Sequence, residues 1–146
     1  MVTIQREAVL PAPPQRVWDV ATPLEGWPDW LSLHVRWPVP PPADVEEGTE
    51  FRQVVSLLGL PIPMRWTVTE YDAPRAFAMS GTAIAGVKVS IRFAIDEDPA
   101  GSALTVTADL VGALVAGTLQ DTVQRFADAQ LMASTTALAE VLAAAR

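Results

Sequence analysis

The chain has 146 residues, half of them hydrophobic and 18% charged, with 10 Lys and Arg against 17 Asp and Glu for a net charge of −7. That size and composition suit one folded domain over residues 1–146 and exclude a charge-rich disordered chain. With Lys88 as the single lysine, the clustered cations that nucleic-acid phosphates or anionic lipid would require are missing, and neither partner is expected.

Residues Thr3–Leu10 alternate Ile4 and Val9 with polar neighbours, the period of a strand. Pro11 to Pro14 stop it and stand where proline is tolerated, just before a helix start. A short helix is predicted over Gln15–Ala21, and a second over Leu24–Leu31, broken by Gly26 and Pro28 and carrying Trp27 and Trp30. Those two rings are expected to close one end of a curved sheet. Leu33–Trp37 returns as a short strand, and the prolines of 38–42 with Asp44, Glu46 and Glu47 form an exposed loop.

Strand alternation then runs for some 60 residues. Thr49–Leu57 puts Phe51, Gln53, Val55 and Leu57 on one face, and Pro63–Tyr71 puts Trp66, Val68 and Glu70 on one face. Asp72-Ala73-Pro74 is a turn. Arg75–Gly81 brings Phe77 and Met79 together, and Val87–Ile95 aligns Val87, Val89, Ile91, Phe93 and Ile95. Asp96–Gly101 reads as a turn before the strand Ala103–Leu110. The link Leu57–Pro63 reads as an apolar hairpin loop, open to roles as a pocket lip, a homodimer contact or a membrane touch.

From Gly112 the period changes to that of a helix. Regular helix is expected from about Leu119, with a core stripe through Leu119, Val123, Phe126, Ala127, Ala133, Ala137, Leu138 and Val141. Gln130 and Ser134 fall inside that stripe and need partners. The order of elements describes an α+β fold, an antiparallel sheet curled around a long closing helix that covers its apolar face.

The chemistry available is narrow. There is no cysteine and one histidine, His34, so disulfides, thiol nucleophiles and histidine-rich metal sites are excluded, and no metal or cofactor is expected. No run reaches the ~18 apolar residues that cross a bilayer, and Thr3–Leu10 reads as a strand instead of a signal peptide, so a cytoplasmic location without stable membrane insertion is expected. The weak catalytic candidates are Glu70, His34 and Tyr71. An inward carboxylate in a dry cavity would have a raised pKa suited to proton transfer.

The segments Pro14-Gln15-Arg16-Val17-Trp18-Asp19, Trp27-Pro28-Asp29-Trp30, Glu47-Gly48-Thr49-Glu50-Phe51 and Trp66 through Arg75, in this order along the whole chain, resemble the START/Bet v 1-like superfamily, also called SRPBCC or polyketide cyclase/dehydrase-like proteins. The resemblance implies a helix-grip fold, seven antiparallel strands wrapped around a C-terminal helix with two short helices after strand one. It also implies apolar ligands such as lipids, sterols or polyketides. Some members of the superfamily cyclise or aromatise polyketides, and some bacterial members are named as toxins of toxin–antitoxin pairs. No catalytic set of the family matches residue by residue.

The resulting expectation is a small hydrophobic ligand, lipid- or polyketide-like, held between sheet and helix. Phe51, Val55, Trp66, Val68, Phe77, Met79, Val89, Ile91, Phe93 and Phe126 would form the walls. Gln53, Glu70, Gln130 and Ser134 would orient the ligand. A polyketide cyclase or aromatase using an inward Glu or His, and a toxin-like component, are the alternatives.

Overall fold

The computed structural model describes residues 2–144, without the side chains of Ile84 and Leu114. Seven antiparallel strands form one sheet in the order β1-β7-β6-β5-β4-β3-β2. They are β1 (Val2–Leu10), β2 (His34–Arg36), β3 (Glu50–Leu57), β4 (Leu60–Asp72), β5 (Ala76–Thr82), β6 (Lys88–Asp98) and β7 (Gly101–Val111). Helix α1 (Pro14–Ala21) and a 3-10 segment over Leu24–Asp29 follow β1, and the long helix α2 (Gln120–Ala144) closes the chain. Because β1 and β2 are opposite edges of the sheet, the two short helices carry the chain across its whole width. This is the helix-grip arrangement the sequence pointed to.

Pro13 is the residue before α1 and Pro14 its first residue, where a missing N–H costs nothing. Two 3-10 turns, Ala113–Val115 and Gly117–Leu119, lead into α2, as the glycines there implied. Its buried line is Val123, Leu131, Ser134, Thr135, Leu138 and Leu142. The expected stripe needs correction: Leu119 belongs to the preceding turn and is 46% exposed, and Ala133 faces outward. Alanines on every side of this helix blur its apolar period, so the wheel misplaced the centre of the face.

Two hairpins are tighter than expected. Leu58 and Gly59 alone turn β3 into β4, both with positive φ (53° and 82°), the left-handed pair that suits a two-residue hairpin. Residues 60–63 are therefore strand, not loop. Pro61 and Pro63 are tolerated because β4 pairs there only with β3; its pairing to β5 begins at Arg65. Likewise β6 runs on to Asp98 and β7 starts at Gly101, leaving Pro99 and Ala100 as the turn instead of 96–101.

The third correction matters for function. Between β4 and β5 the register passes from Val68↔Met79 to Glu70↔Ala78, so Thr69 is an extra residue. Such a bulge reverses the facing of everything after it. Glu70, expected inward with Trp66 and Val68, is turned to the outer face of the sheet.

The core lies between the concave face of the sheet and the helices. At one end it is an aromatic mass. Trp27 meets Trp37, Phe51 and Phe77, Trp30 meets Phe93, and Phe77 meets Phe93, with ring centroids 5.6–6.2 Å apart. Mostly edge-on, these pairs add about 0.5–1.5 kcal/mol each beyond area burial.

Candidate functional site

Away from that aromatic end, the groove is not filled. A cavity of about 60 Å³ remains beneath the first half of α2, bounded by Phe126, Ala127 and Leu131 above and by strands β3, β4, β6 and β7 below. Its walls are apolar apart from Ser56. The lining holds five of the expected ligand residues: Val55, Trp66, Val89, Ile91 and Phe126. Leu33, Leu57, Ile62, Met64, Ala83, Ala108, Leu110, Ala127 and Leu131 also line it. Ile62 and Met64 could have been found by running the Trp66–Val68 alternation backward, had Leu57–Pro63 not been read as loop.

Phe51, Val68, Phe77, Met79 and Phe93 are buried but lie outside this lining. The three phenylalanines are core instead of wall because Trp27, Trp30 and Trp37 pack against them. The lining beyond them carries no such rings from that crossing segment.

The polar candidates serve three different arrangements. Gln130 and Ser134 clamp the segment before β2. The Ser32 hydroxyl donates to Gln130 Oε1 at 2.6 Å and lies 3.0 Å from Ser134 Oγ, which accepts the Ser32 N–H at 3.0 Å. These bonds tie Ser32 to the middle of α2. Neither residue lines the cavity.

Gln53, 1% exposed, stands behind the cavity wall. Its Oε1 accepts the Trp66 indole N–H at 2.9 Å, and its Nε2 faces His34 Nδ1 at 2.9 Å. The indole can only donate, so the amide must present oxygen to Trp66 and N–H to His34. His34 Nδ1 is then the acceptor and the ring carries its proton on Nε2. Partial burial holds the His34 pKa below its ordinary value, and the Trp37 ring lies 4.7 Å away.

Glu70 and Tyr71 lie outside the cavity lining. Glu70 accepts from Arg92 Nε at 2.8 Å on the outer face, and that hydrogen bond holds its carboxyl below the usual range. An inward, proton-holding carboxylate is thus replaced by an exposed ion pair. Such pairs contribute about 0–1 kcal/mol, so Glu70→Gln should lower the unfolding free energy by no more than that amount, as equilibrium urea unfolding measures. Tyr71 is 37% exposed and rests its ring edge-on against Trp18 and Phe77.

Among the described residues no helix is long and apolar enough to cross a membrane. The chain is 29% identical over 108 residues to Toxin Rv0910 of Mycobacterium tuberculosis, covering 74% of this chain and 75% of that protein. It is also 29% identical over 119 residues to Rv1546 of the same organism, named only as an uncharacterized protein, with 82% and 83% covered. Among solved structures, TTHA0849 of Thermus thermophilus superposes with a TM-score of 0.75 at 21% identity over 99% of this chain and 97% of that one. A Rhodobacter sphaeroides protein gives 0.75 at 19% identity over 99% and 94%. Both share the fold. The sequence profile described as "Polyketide cyclase / dehydrase and lipid transport" matches residues 1–143, and with the sheet, the gripping helix and the groove in place, the chain belongs to that family.

Proposed function

We propose that the protein binds a small apolar molecule in the cavity under the first half of α2, and that it holds this ligand without chemically changing it. The observation that carries the reading is the composition of the cavity wall. Its lining is hydrocarbon, aromatic ring, one thioether and one hydroxyl, with no carboxylate, imidazole or phenol among the described residues. Proton transfer needs a titratable group within hydrogen-bond reach of the substrate. His34, Glu70 and Tyr71 all lie outside the lining, which favours binding over a cyclase or aromatase.

The dimensions narrow the ligand. Sites for drug-sized molecules run to about 300–1,000 Å³, and about 150 Å³ is enough for benzene. A space of about 60 Å³ suits the end of a hydrocarbon chain better than a fused polyketide ring. Phe126, half-buried on α2, is the lining side chain best placed to yield for more of the chain.

Substituting Ala127→Leu puts three further carbons into the lining from a half-buried helical position. Titration calorimetry with the uncharged straight-chain alcohol 1-decanol should then show about tenfold weaker binding, the loss of roughly 1.4 kcal/mol of contact. Unchanged affinity in the variant, or no binding by the wild type, overturns the reading. Native mass spectrometry of protein purified from its source would identify the natural ligand.

A second reading has one observation behind it, the likeness to Rv0910. A toxin-like component held by an antitoxin is distinguished by its genomic neighbour, a small DNA-binding protein.

A further inference from the structure

We propose that His34 and Gln53 set the polarity of the Trp66 wall, so that one proton taken up on His34 loosens the cavity's hold on an apolar ligand. This rests on the ligand-binding reading above. The chain Trp66–Gln53–His34 runs from the cavity to the half-buried rim of the sheet, and its hydrogen bonds have one permitted direction. Trp66 donates to Gln53, and Gln53 donates to His34.

An imidazolium donates from both nitrogens. Once His34 is protonated, Gln53 must turn its oxygen toward the ring, or withdraw. Turning presents the amide N–H₂ group to the indole N–H, donor against donor. Either response deprives Trp66 of its acceptor, at a place where Gln53 is 1% and Trp66 2% exposed and water cannot stand in.

Two neighbours limit where the indole can go. On one side lies the β5 backbone at Gly81, so close that an added Cβ would stand 2.9 Å from Trp66 Cε3. On another, Phe51 stacks on it with centroids 6.5 Å apart. The ring also borders the cavity, open space into which it can shift, and a small shift there consumes part of about 60 Å³.

No charge competes for the imidazole among the described residues. Arg36 shares its strand, Glu50 and Arg52 lie on β3, and Glu25 and Asp29 lie on the 3-10 segment packed against β2. None of these makes a hydrogen bond or ion pair with His34, and burial is the sole cause of its shift. The sign follows: neutral His34 is the form compatible with the intact wall, so affinity is highest above the ordinary histidine range and falls as acidification protonates the ring.

Two readouts on the intact protein test this. The first is the ¹⁵N–¹H resonance of the Trp66 indole, assigned by Trp66→Phe and followed between about pH 7.5 and pH 5. It should move with the same midpoint as the His34 ring signals. The second is the affinity for the uncharged straight-chain alcohol 1-decanol, which should weaken about tenfold across that midpoint. In His34→Asn, whose side-chain oxygen can accept from Gln53 without titrating, both changes should vanish.

A Trp66 signal that stays still while His34 titrates means the ring swings free into solvent, and the coupling is overturned. A Trp66 signal that moves while 1-decanol affinity does not overturns the effect on binding. If Trp66 moves and no 1-decanol binds at any pH, the ligand reading falls while the proton-driven change in the wall stands.

Discussion

Phe77→Ala should lower stability by about 3–5 kcal/mol and the thermal midpoint by roughly 10–15 °C. Phe77 is 1% exposed, and its ring touches Trp27, Tyr71 and Phe93. Truncation removes the transfer free energy of the ring and leaves a void whose other walls are rigid rings and paired strand. Such surroundings collapse poorly, and the cost belongs at the upper part of the range. Phe77→Leu, which keeps most of the volume, should recover more than half of the loss. Urea unfolding with an unchanged dependence on denaturant is the measurement. A cost under about 1.5 kcal/mol would mean that the aromatic end is loosely packed.

Gly101→Ala should be as damaging, at about 3–5 kcal/mol, for a different reason. Gly101 opens β7 with φ at 141°, a conformation that costs an L side chain about 1–3 kcal/mol. A Cβ there would overlap the Leu10 carbonyl oxygen and stand 2.7 Å from the Ala12 nitrogen. These are backbone atoms, unable to rotate away, so overpacking adds about 1–3 kcal/mol more. The next residue, Ser102, is fully buried and donates to the Ala12 carbonyl at 2.6 Å. The start of β7 therefore seats against the bend between β1 and α1. Calorimetry of the variant measures the loss, and a midpoint within about 3 °C of wild type would contradict the account.

Residues with one face in water were the most legible. The alternation of β6 and β7 was readable almost residue by residue, because most inward positions, from Ile91 to Ile95 and from Leu104 to Leu110, are apolar and most outward ones are polar. The tryptophans of the 3-10 segment were also readable, as broad rings on a segment too short to bury them alone. Glu70 was not, because the bulge at Thr69 arises from pairing with β5 and leaves no mark in a pattern that continues smoothly through Trp66, Val68 and Glu70. Gln130 and Ser134 could be seen to lack partners, yet the partner, Ser32, lies about a hundred residues earlier in the chain. The division of the groove was hidden for the same reason. Phe51 and Val55 look equivalent along β3, and only packing from the crossing segment makes one of them core and the other wall.

The Ser32 clamp turns α2 into a cantilever. Fixed at Gln130 and Ser134, a rod of 25 residues can lift its leading end only by giving up the Arg6–Asp128 ion pair, 3.4 Å long, that also ties it to β1. That end begins after two short 3-10 turns and includes Phe126 and Ala127. The hinge of any opening is thus placed at mid-length, and the span that swings is the roof of the space a guest would occupy.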